Sequence, residues 1–426
     1  MTMIRLFVNA TKVWIPVMRY QIFRLIQVIA SFVVIGLVSR ELPSNSINIW
    51  LLMGTIINLG NYVDLGISGV AIDSVKDANA ESEQIKNAIF WNSILSNQKK
   101  LLMPIIFSSF IALYFYEEVA LHSQRNTLLS LLVIWIVSIL AIVSSILSSY
   151  FVAMGTSRLF TLYSLKGVLI QLFLAFAFSL NNFDILTFVT LLAVPNAYIL
   201  GIAIRSNRKL SSNHLRRGET RSSKKPKITR KFIAIQFQTL QTLIMMSSLT
   251  FPVFISNSYP INDSNSYQVL SRIAFLAASV SGIHLPNLWT SSTVNESRRR
   301  VSNTFNQKGL IIERLLIPTL IFLSIPGLYI FNILPKSKYE VPSIEETTLW
   351  MLISIIQYHL AKFHYKCLAD DRLKALFLPS AIPLLLISCL VVLALPLTIP
   401  PVVLVFSSQI MQLSSFMLIW VMTNRR

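Results

Sequence analysis

Apolar stretches separated by short polar gaps run the length of the chain. Twelve are read: Ile15 to Val38, Ile47 to Ile72, Leu101 to Tyr116, Leu128 to Val152, Leu159 to Leu180, Phe183 to Ile204, Phe232 to Ile255, Tyr267 to Trp289, Leu315 to Leu334, Ile344 to Ala361, Ala375 to Leu395 and Pro401 to Met422. Most approach the ~20 residues that a helix needs to cross hydrocarbon. The pattern predicts an all-α polytopic membrane protein with about 12 transmembrane helices in two six-helix bundles. Leu101 to Tyr116 is short, and Lys99 and Lys100 are expected to snorkel to the headgroups while the bilayer thins around it. In Glu81 to Ser96, the residues Ile85, Ala88, Ile89 and Asn92 recur at helical spacing. That segment reads either as a helix lying on the membrane surface or as an early start to the third span.

Charge fixes the expected orientation. The 426 residues hold 37 Lys+Arg against 18 Asp+Glu, a net charge of +19, yet 54% of them are hydrophobic and 13% charged. That combination excludes a soluble nucleic-acid binder, and no nucleic-acid partner is expected. With the N-terminus taken as cytoplasmic, 29 basic residues fall in gaps on that side. The opposite gaps hold four (Arg40, Arg125, Lys336, Lys338), and four more lie inside spans (Arg19, Arg24, Lys166, Arg272). The positive-inside rule then puts both termini in the cytoplasm. Residues 205–231, rich in Ser, Lys and Arg, read as a cytoplasmic linker between an N-terminal bundle (1–204) and a C-terminal bundle (232–426). Cys367 and Cys389 offer no disulfide framework. The first apolar run is too long for a signal peptide's core and carries two arginines, so it is expected to stay as the first helix.

Polar residues inside the spans carry the candidate chemistry. Tyr20, Arg24, Gln27 and Ser31 form a stripe on the first helix, with Ile22, Leu25, Ile26, Ile29 and Val33 on the other face. Arg24 is ten residues beyond Trp14, or ~15 Å at the helical rise, near the midplane, where a guanidinium costs at least ~2.5 kcal/mol. Arg19 is shallower and either snorkels or joins the site. Arg272 sits in the eighth span without an acid in that helix. Apart from acids at the very start of two runs (Asp184, Glu345 and Glu346), Asp64 is the one acid written into a span, too few for three guanidiniums, which points to an anion-binding cavity. A guanidinium fork suits phosphate because it donates bidentately and stays ionised. On the second span, Gly54, Asn58, Asn61 and Ser68 share a face that is polar enough to line the same cavity. Asp64, beside them near the cytoplasmic end, reads either as a hydrated interfacial carboxylate or as an ion-coupling site. Lys166 either adds charge or snorkels. His284, His359 and His364 have no metal-ligand spacing, and no nucleophile or phosphate-loop constellation points to an enzyme.

The segment Asn61-Tyr-Val-Asp-Leu-Gly-Ile-Ser-Gly69 resembles the Asp-Leu-Gly segment that ends the second helix in bacterial Wzx-type flippases, members of the multidrug/oligosaccharidyl-lipid/polysaccharide (MOP) exporter superfamily. The layout is also similar to the lipid II flippase branch, where cavity arginines on the corresponding first and eighth helices serve substrate binding. The chain departs from the pattern after the motif, where Asp73 and Ser74 precede Lys76. The resemblance implies a MATE/MOP-like fold in the bacterial inner membrane. It further implies export of an undecaprenyl-pyrophosphate-linked oligosaccharide, such as an O-antigen repeat unit, to the periplasmic leaflet by alternating access. Arg24 and Arg272, with Arg19, are then expected at the pyrophosphate; Gln27, Asn58 and Asn61 at the sugars; and Asp64 at the coupling ion. Implied partners are membrane lipids, a polysaccharide polymerase and a chain-length regulator. No cofactor is expected beyond a proton or sodium gradient.

Three other readings compete. A multidrug or cation exporter of the same superfamily would need a cavity that attracts cations, which the surplus of intramembrane guanidinium disfavours. A major-facilitator transporter would carry a compact Gly-x-x-x-Asp-Arg-x-Gly-Arg-Arg run after its second span, and this chain does not. An integral-membrane glycan polymerase would use a long external loop, whereas the largest external gaps here are around Glu117 to Thr127, Ser256 to Ser266 and Pro335 to Ser343.

Overall fold

The structure, a computed structural model, describes residues 22–23, 25–59, 71–72, 74–75, 83–96, 102–123, 126–181, 184–214, 255, 258–282, 334–335, 338–369 and 400–424. Among these no strand occurs, and the elements are helices: α1 (25–41), α2 (Ser44–Leu59), α3 (Glu83–Ser96), α4 (Leu102–Ser123), α5 (Thr127–Ala153), α6 (Ser157–Ser179), α7 (Ile185–Leu191), α8 (Val194–His214), α9 (Ile261–Gly282), α10 (Ile344–Ala369) and α11 (Pro401–Asn424). The all-α architecture is as the apolar pattern predicts.

Large apolar side chains cover much of the outer surface. On α4 the side chains of Ile105, Ile106, Phe110 and Leu113 are exposed, on α5 Leu128, Leu132 and Ile136, and on α6 Leu169, Ile170, Phe173 and Phe176. Apolar exposure on this scale suits contact with lipid rather than water. At Ile22 and along α1, the exposed large apolar side chains are Ile22, Ile26, Ile29 and Val33, the face the sequence assigns away from the polar stripe. Lys166 is exposed in line with the apolar stripe of α6, so its stem lies along lipid and its ammonium is placed to snorkel toward the start of α6.

Several boundaries depart from the sequence expectations for physical reasons. The third apolar run was expected to be short, but α4 extends through the exposed pair Glu117 and Glu118 to Ser123, and its window Ile105–His122 is long enough to span without thinning. Glu83–Ser96, for which the sequence leaves two readings open, is helix α3, whose Phe90 and Trp91 pack against Tyr150 at the end of α5. The sixth run is two helices, α7 and α8, bent by 42°. Pro195 explains the break: it has no N–H and its ring opposes the carbonyl of Leu191, four residues earlier. Gln171 of α6 satisfies that carbonyl with an Nε2 donation of 2.9 Å. Gly167 on α6 permits the approach, since a Cβ there would lie 2.8 Å from Pro195 Cα. At its far end α8 continues to His214, into the segment expected to be a linker.

The ends of other helices follow local chemistry. Asn126 and Asp184 cap α5 and α7, accepting from Leu128 N at 2.9 Å and Thr187 N at 3.0 Å. Gly155, at φ 71°, ends α5 in the left-handed conformation that a side chain would strain. Ser343 and Glu346 form a reciprocal capping box at the start of α10, with bonds of 3.1 and 2.9 Å.

Helices α4 and α5 pack together, as do α6 and α8, and α2 lies against α4, α5 and α7. Trp50, Phe115, Ile134 and Phe188 are fully buried where these elements meet. In the C-terminal part, α10 packs between α9 and α11. The two parts touch through α2 against α9, and that contact positions the site.

Candidate functional site

The contact between α2 and α9 is lined with polar groups that are not left to water. Ser264, Asn265 and Gln268 on α9 are each 0% exposed. The sequence reading placed Ser264 and Asn265 in an external gap; instead α9 begins at Ile261 and buries them, because their partners lie far away in sequence. Ser264 Oγ donates to Asn48 Oδ1 at 3.0 Å, Thr55 Oγ1 donates to Gln268 Oε1 at 3.0 Å, and Asn265 Nδ2 donates to Ser44 O at 3.4 Å. Each bond joins the first part of the chain to the last.

Arg272 lies deepest in this contact, eleven residues below Ile261 or ~16 Å along the helix. Its Nη2 donates to the carbonyl oxygen of Leu51, and its guanidinium carbon stands 5.7 Å from the ring centroid of Trp50. Trp50 is itself fixed, donating Nε1 to Phe188 O at 2.9 Å just before the α7–α8 break. Gly54 makes the room: a Cβ at that position would lie 2.5 Å from Arg272 Nη2 and 3.3 Å from Leu192 Cδ2. The Nε of Arg272 is buried with no hydrogen-bond partner among the described residues. Among the described residues no carboxylate pairs with this guanidinium, so a buried positive charge is held by a carbonyl dipole and an aromatic face.

Of the predicted substrate residues, Arg272 and Gln27 have side chains among the described residues, and Arg272 sits between the two parts of the chain. Gln27 is on the inner face of α1, with Nε2 donating 2.7 Å to Ser164 Oγ of α6, and Ser31 Oγ donates to Gln27 O at 2.8 Å. That part of the predicted stripe thus packs on its own half. Arg19, Arg24, Asn61, Asp64 and the side chain of Asn58 lie outside the described residues.

At the end of the molecule where α1 stops and α9 and α10 start, a loop from the last part of the chain reaches the first. This is the end that the charge pattern assigns to the outside, and it is called the outer end below. Tyr339 is 3% exposed, its hydroxyl hydrogen-bonded to Ser39 Oγ. Burial pushes its phenol up to about 12, against the opposing pull of the Ser39 hydrogen bond and the Arg272 charge. Burial lowers Lys338 from its usual range, and Glu41 opposes this. Glu340 is pushed up to about 7 by a hydrogen bond with Asp263 and that group's charge, with burial and Glu346 adding to it. Sequence reasoning set Gly54 on the cavity-lining face but missed Trp50, Tyr339 and the role of Lys338. The available signal was the spacing of Asn265, Gln268 and Arg272, at i, i+3 and i+7 on one helical face. Among the described residues no three His, Cys, Asp or Glu side chains stand together as a metal site.

No family model matches the chain, and no curated protein matches it. Solved structures do. It is similar to an inward-facing multidrug resistance MATE family transporter of the MOP superfamily, with a TM-score of 0.56 and 10% identity over 95% of this chain and 98% of the other. An outward-facing structure of such a transporter gives a TM-score of 0.57 and 11% identity over 96% and 95% of the two chains. A Vibrio cholerae MATE transporter gives 0.51 and 14% over 96% of each. At these identities the likeness concerns the fold, and it covers nearly the whole of both chains. Together with the apolar helices, it identifies the protein as a multi-pass membrane protein with the fold of the MATE transporters of the MOP superfamily.

Proposed function

We propose that the protein is a flippase for an anionic lipid-linked glycan, an undecaprenyl-pyrophosphate-linked oligosaccharide, carried from the cytoplasmic to the periplasmic leaflet of the bacterial inner membrane. The observation that carries this reading is the Arg272 guanidinium, buried between α2 and α9 with no carboxylate against it among the described residues. A cation fixed in that way is a poor host for a cationic drug and a good one for a diphosphate, whose oxygens accept from the guanidinium fork. Arg24 and Arg19 on the first helix supply further positive charge; Gln27, Asn58 and Asn61 supply hydrogen-bonding groups for sugars; Asp64 is the candidate for coupling to a proton or sodium gradient. Two bundles, 1–204 and 232–426, rock about the site while the polyprenyl tail remains in lipid. The basic segment 205–231 stays cytoplasmic under the positive-inside rule. A polysaccharide polymerase and a chain-length regulator take up the product.

A second reading, a multidrug exporter, is favoured by the multidrug transporters that share the fold. The two separate on charge. In cells lacking the chromosomal copy, Arg272→Ala is expected to leave lipid-linked oligosaccharide accumulated on the cytoplasmic leaflet, while Arg272→Lys restores part of the export. An alanine variant that is normally expressed and exports fully removes Arg272 from the substrate site. Cation resistance conferred by the parent and enhanced by Arg272→Ala supports the second reading instead.

A further inference from the structure

Three carbonyls at one helix end converge on one ammonium group. Residues 39–42 close α1, where the last carbonyls of a helix have no N–H partner of their own. Lys338, from the last part of the chain, donates Nζ to Ser39 O at 2.8 Å, to Leu42 O at 2.7 Å and to Arg40 O at 3.3 Å. The three ammonium protons match the three acceptors, and the positive charge sits at the negative end of the helix dipole. The next residue, Tyr339, is buried with its hydroxyl on Ser39 Oγ. Glu340 O in turn accepts from Ser266 Oγ of α9 at 2.8 Å. Asn265 Nδ2 shares itself between Lys338 O at 3.1 Å and Ser44 O at 3.4 Å, the first residue of α2.

The strap Lys338–Glu340 is thus anchored to α9 on one side and to the α1–α2 corner on the other. Parting α2 from α9 at the outer end must pull the Lys338 ammonium off α1, because the strap is held to α9 by Asn265 and Ser266. A lysine suits a contact that is made and broken: its flexible stem lets it leave, and water solvates it once it has left. We infer that Lys338–Glu340 is a latch that holds the outer end of the protein closed, with the Lys338 ammonium on the α1 terminus as its catch. This holds whatever the protein transports. It adds a named lock to the site, since Thr55, Gln268 and Arg272 lie beneath it on the same α2–α9 contact.

The test uses full-length protein in right-side-out vesicles, with Cys367 and Cys389 replaced by serine and one cysteine introduced beneath the strap, Thr55→Cys. A membrane-impermeant thiol reagent is added outside and the labelling rate is measured. Lys338→Met is expected to raise that rate about tenfold or more, the factor carried by charge-assisted hydrogen bonds of this kind, and Lys338→Arg to stay near the parent. Tyr339→Phe, which removes one hydroxyl, is expected to raise it about threefold. A reference cysteine at exposed Asn45 should label equally in every background. Unchanged labelling in Lys338→Met overturns the latch. If that variant cannot be purified, Tyr339→Phe decides alone: a rise supports the latch and an unchanged rate overturns it. Loss of transport in Arg272→Ala with intact labelling behaviour would concern the substrate reading and not the latch.

Discussion

Gly54→Ala would place a Cβ 2.5 Å from Arg272 Nη2, a separation that side-chain carbons do not tolerate, so the guanidinium must move. Moving it is easy in covalent terms, because it ends a flexible side chain. The cost lies in what it gives up: the bond to Leu51 O, about 1.5–3 kcal/mol for a charged donor, and the face of Trp50, about 0.5–2 kcal/mol. Alanine in the helix returns about 1 kcal/mol relative to glycine. The net expectation is destabilisation by about 1–4 kcal/mol. In an Arg272→Met background the first two contributions are already gone and only the propensity gain remains. There Gly54→Ala should be neutral or stabilising by up to about 1 kcal/mol. The assay is equilibrium unfolding in mixed micelles for the four members of the cycle, and the predicted coupling is about 2–5 kcal/mol. A Gly54→Ala effect of the same sign and size in both backgrounds would refute the idea that Arg272 is locked against α2.

Other consequences are as direct. Gln171→Leu leaves the Leu191 carbonyl at the α7–α8 break without its side-chain donor and should cost about 1–3 kcal/mol in the same unfolding assay, whereas Gln171→Glu, protonated at low pH, should recover part of it. Glu340 holds its proton up to about pH 7 in the folded protein against an ordinary value of 4.5, so its contribution to stability is full below pH 4.5 and is lost as pH rises through 7. Glu340→Gln should flatten that decline, and a thermal-stability profile from pH 4 to pH 8 reads it. Lys166→Leu should leave expression and transport unchanged, because the ammonium lies on the lipid-facing stripe of α6; a loss of transport at normal abundance would place it in the cavity.

Much of the fold was legible because bilayer burial imposes a simple pattern. The exposed face of α1, Ile22, Ile26, Ile29 and Val33, follows from helical spacing alone. The start of α9 was not legible, since Ser264, Asn265 and Ser266 have the composition of a loop and become buried only through partners more than 70 residues distant. Pro195 marked a break within an apolar run, but its consequence depends on Gln171 of another helix taking up the freed carbonyl. Arg272 was legible as an expensive charge with no acid in the run Tyr267 to Trp289, although α9 starts earlier and takes in Asp263 in its first turn. The setting of Arg272 was not legible, because Trp50 reads as an ordinary residue of the second span, and the room that Gly54 leaves on its polar face acquires meaning only when α2 meets α9.

The most direct test of the account is transport by the purified protein in proteoliposomes, with a fluorescent polyprenyl-diphosphate oligosaccharide and a lipophilic cationic dye offered in parallel. A flippase that grips its substrate through Arg272 moves the diphosphate lipid across the bilayer faster than empty vesicles do, loses that gain in Arg272→Ala, and does not extrude the dye. Extrusion of the dye by a protein that leaves the diphosphate lipid where it was would contradict the flippase reading.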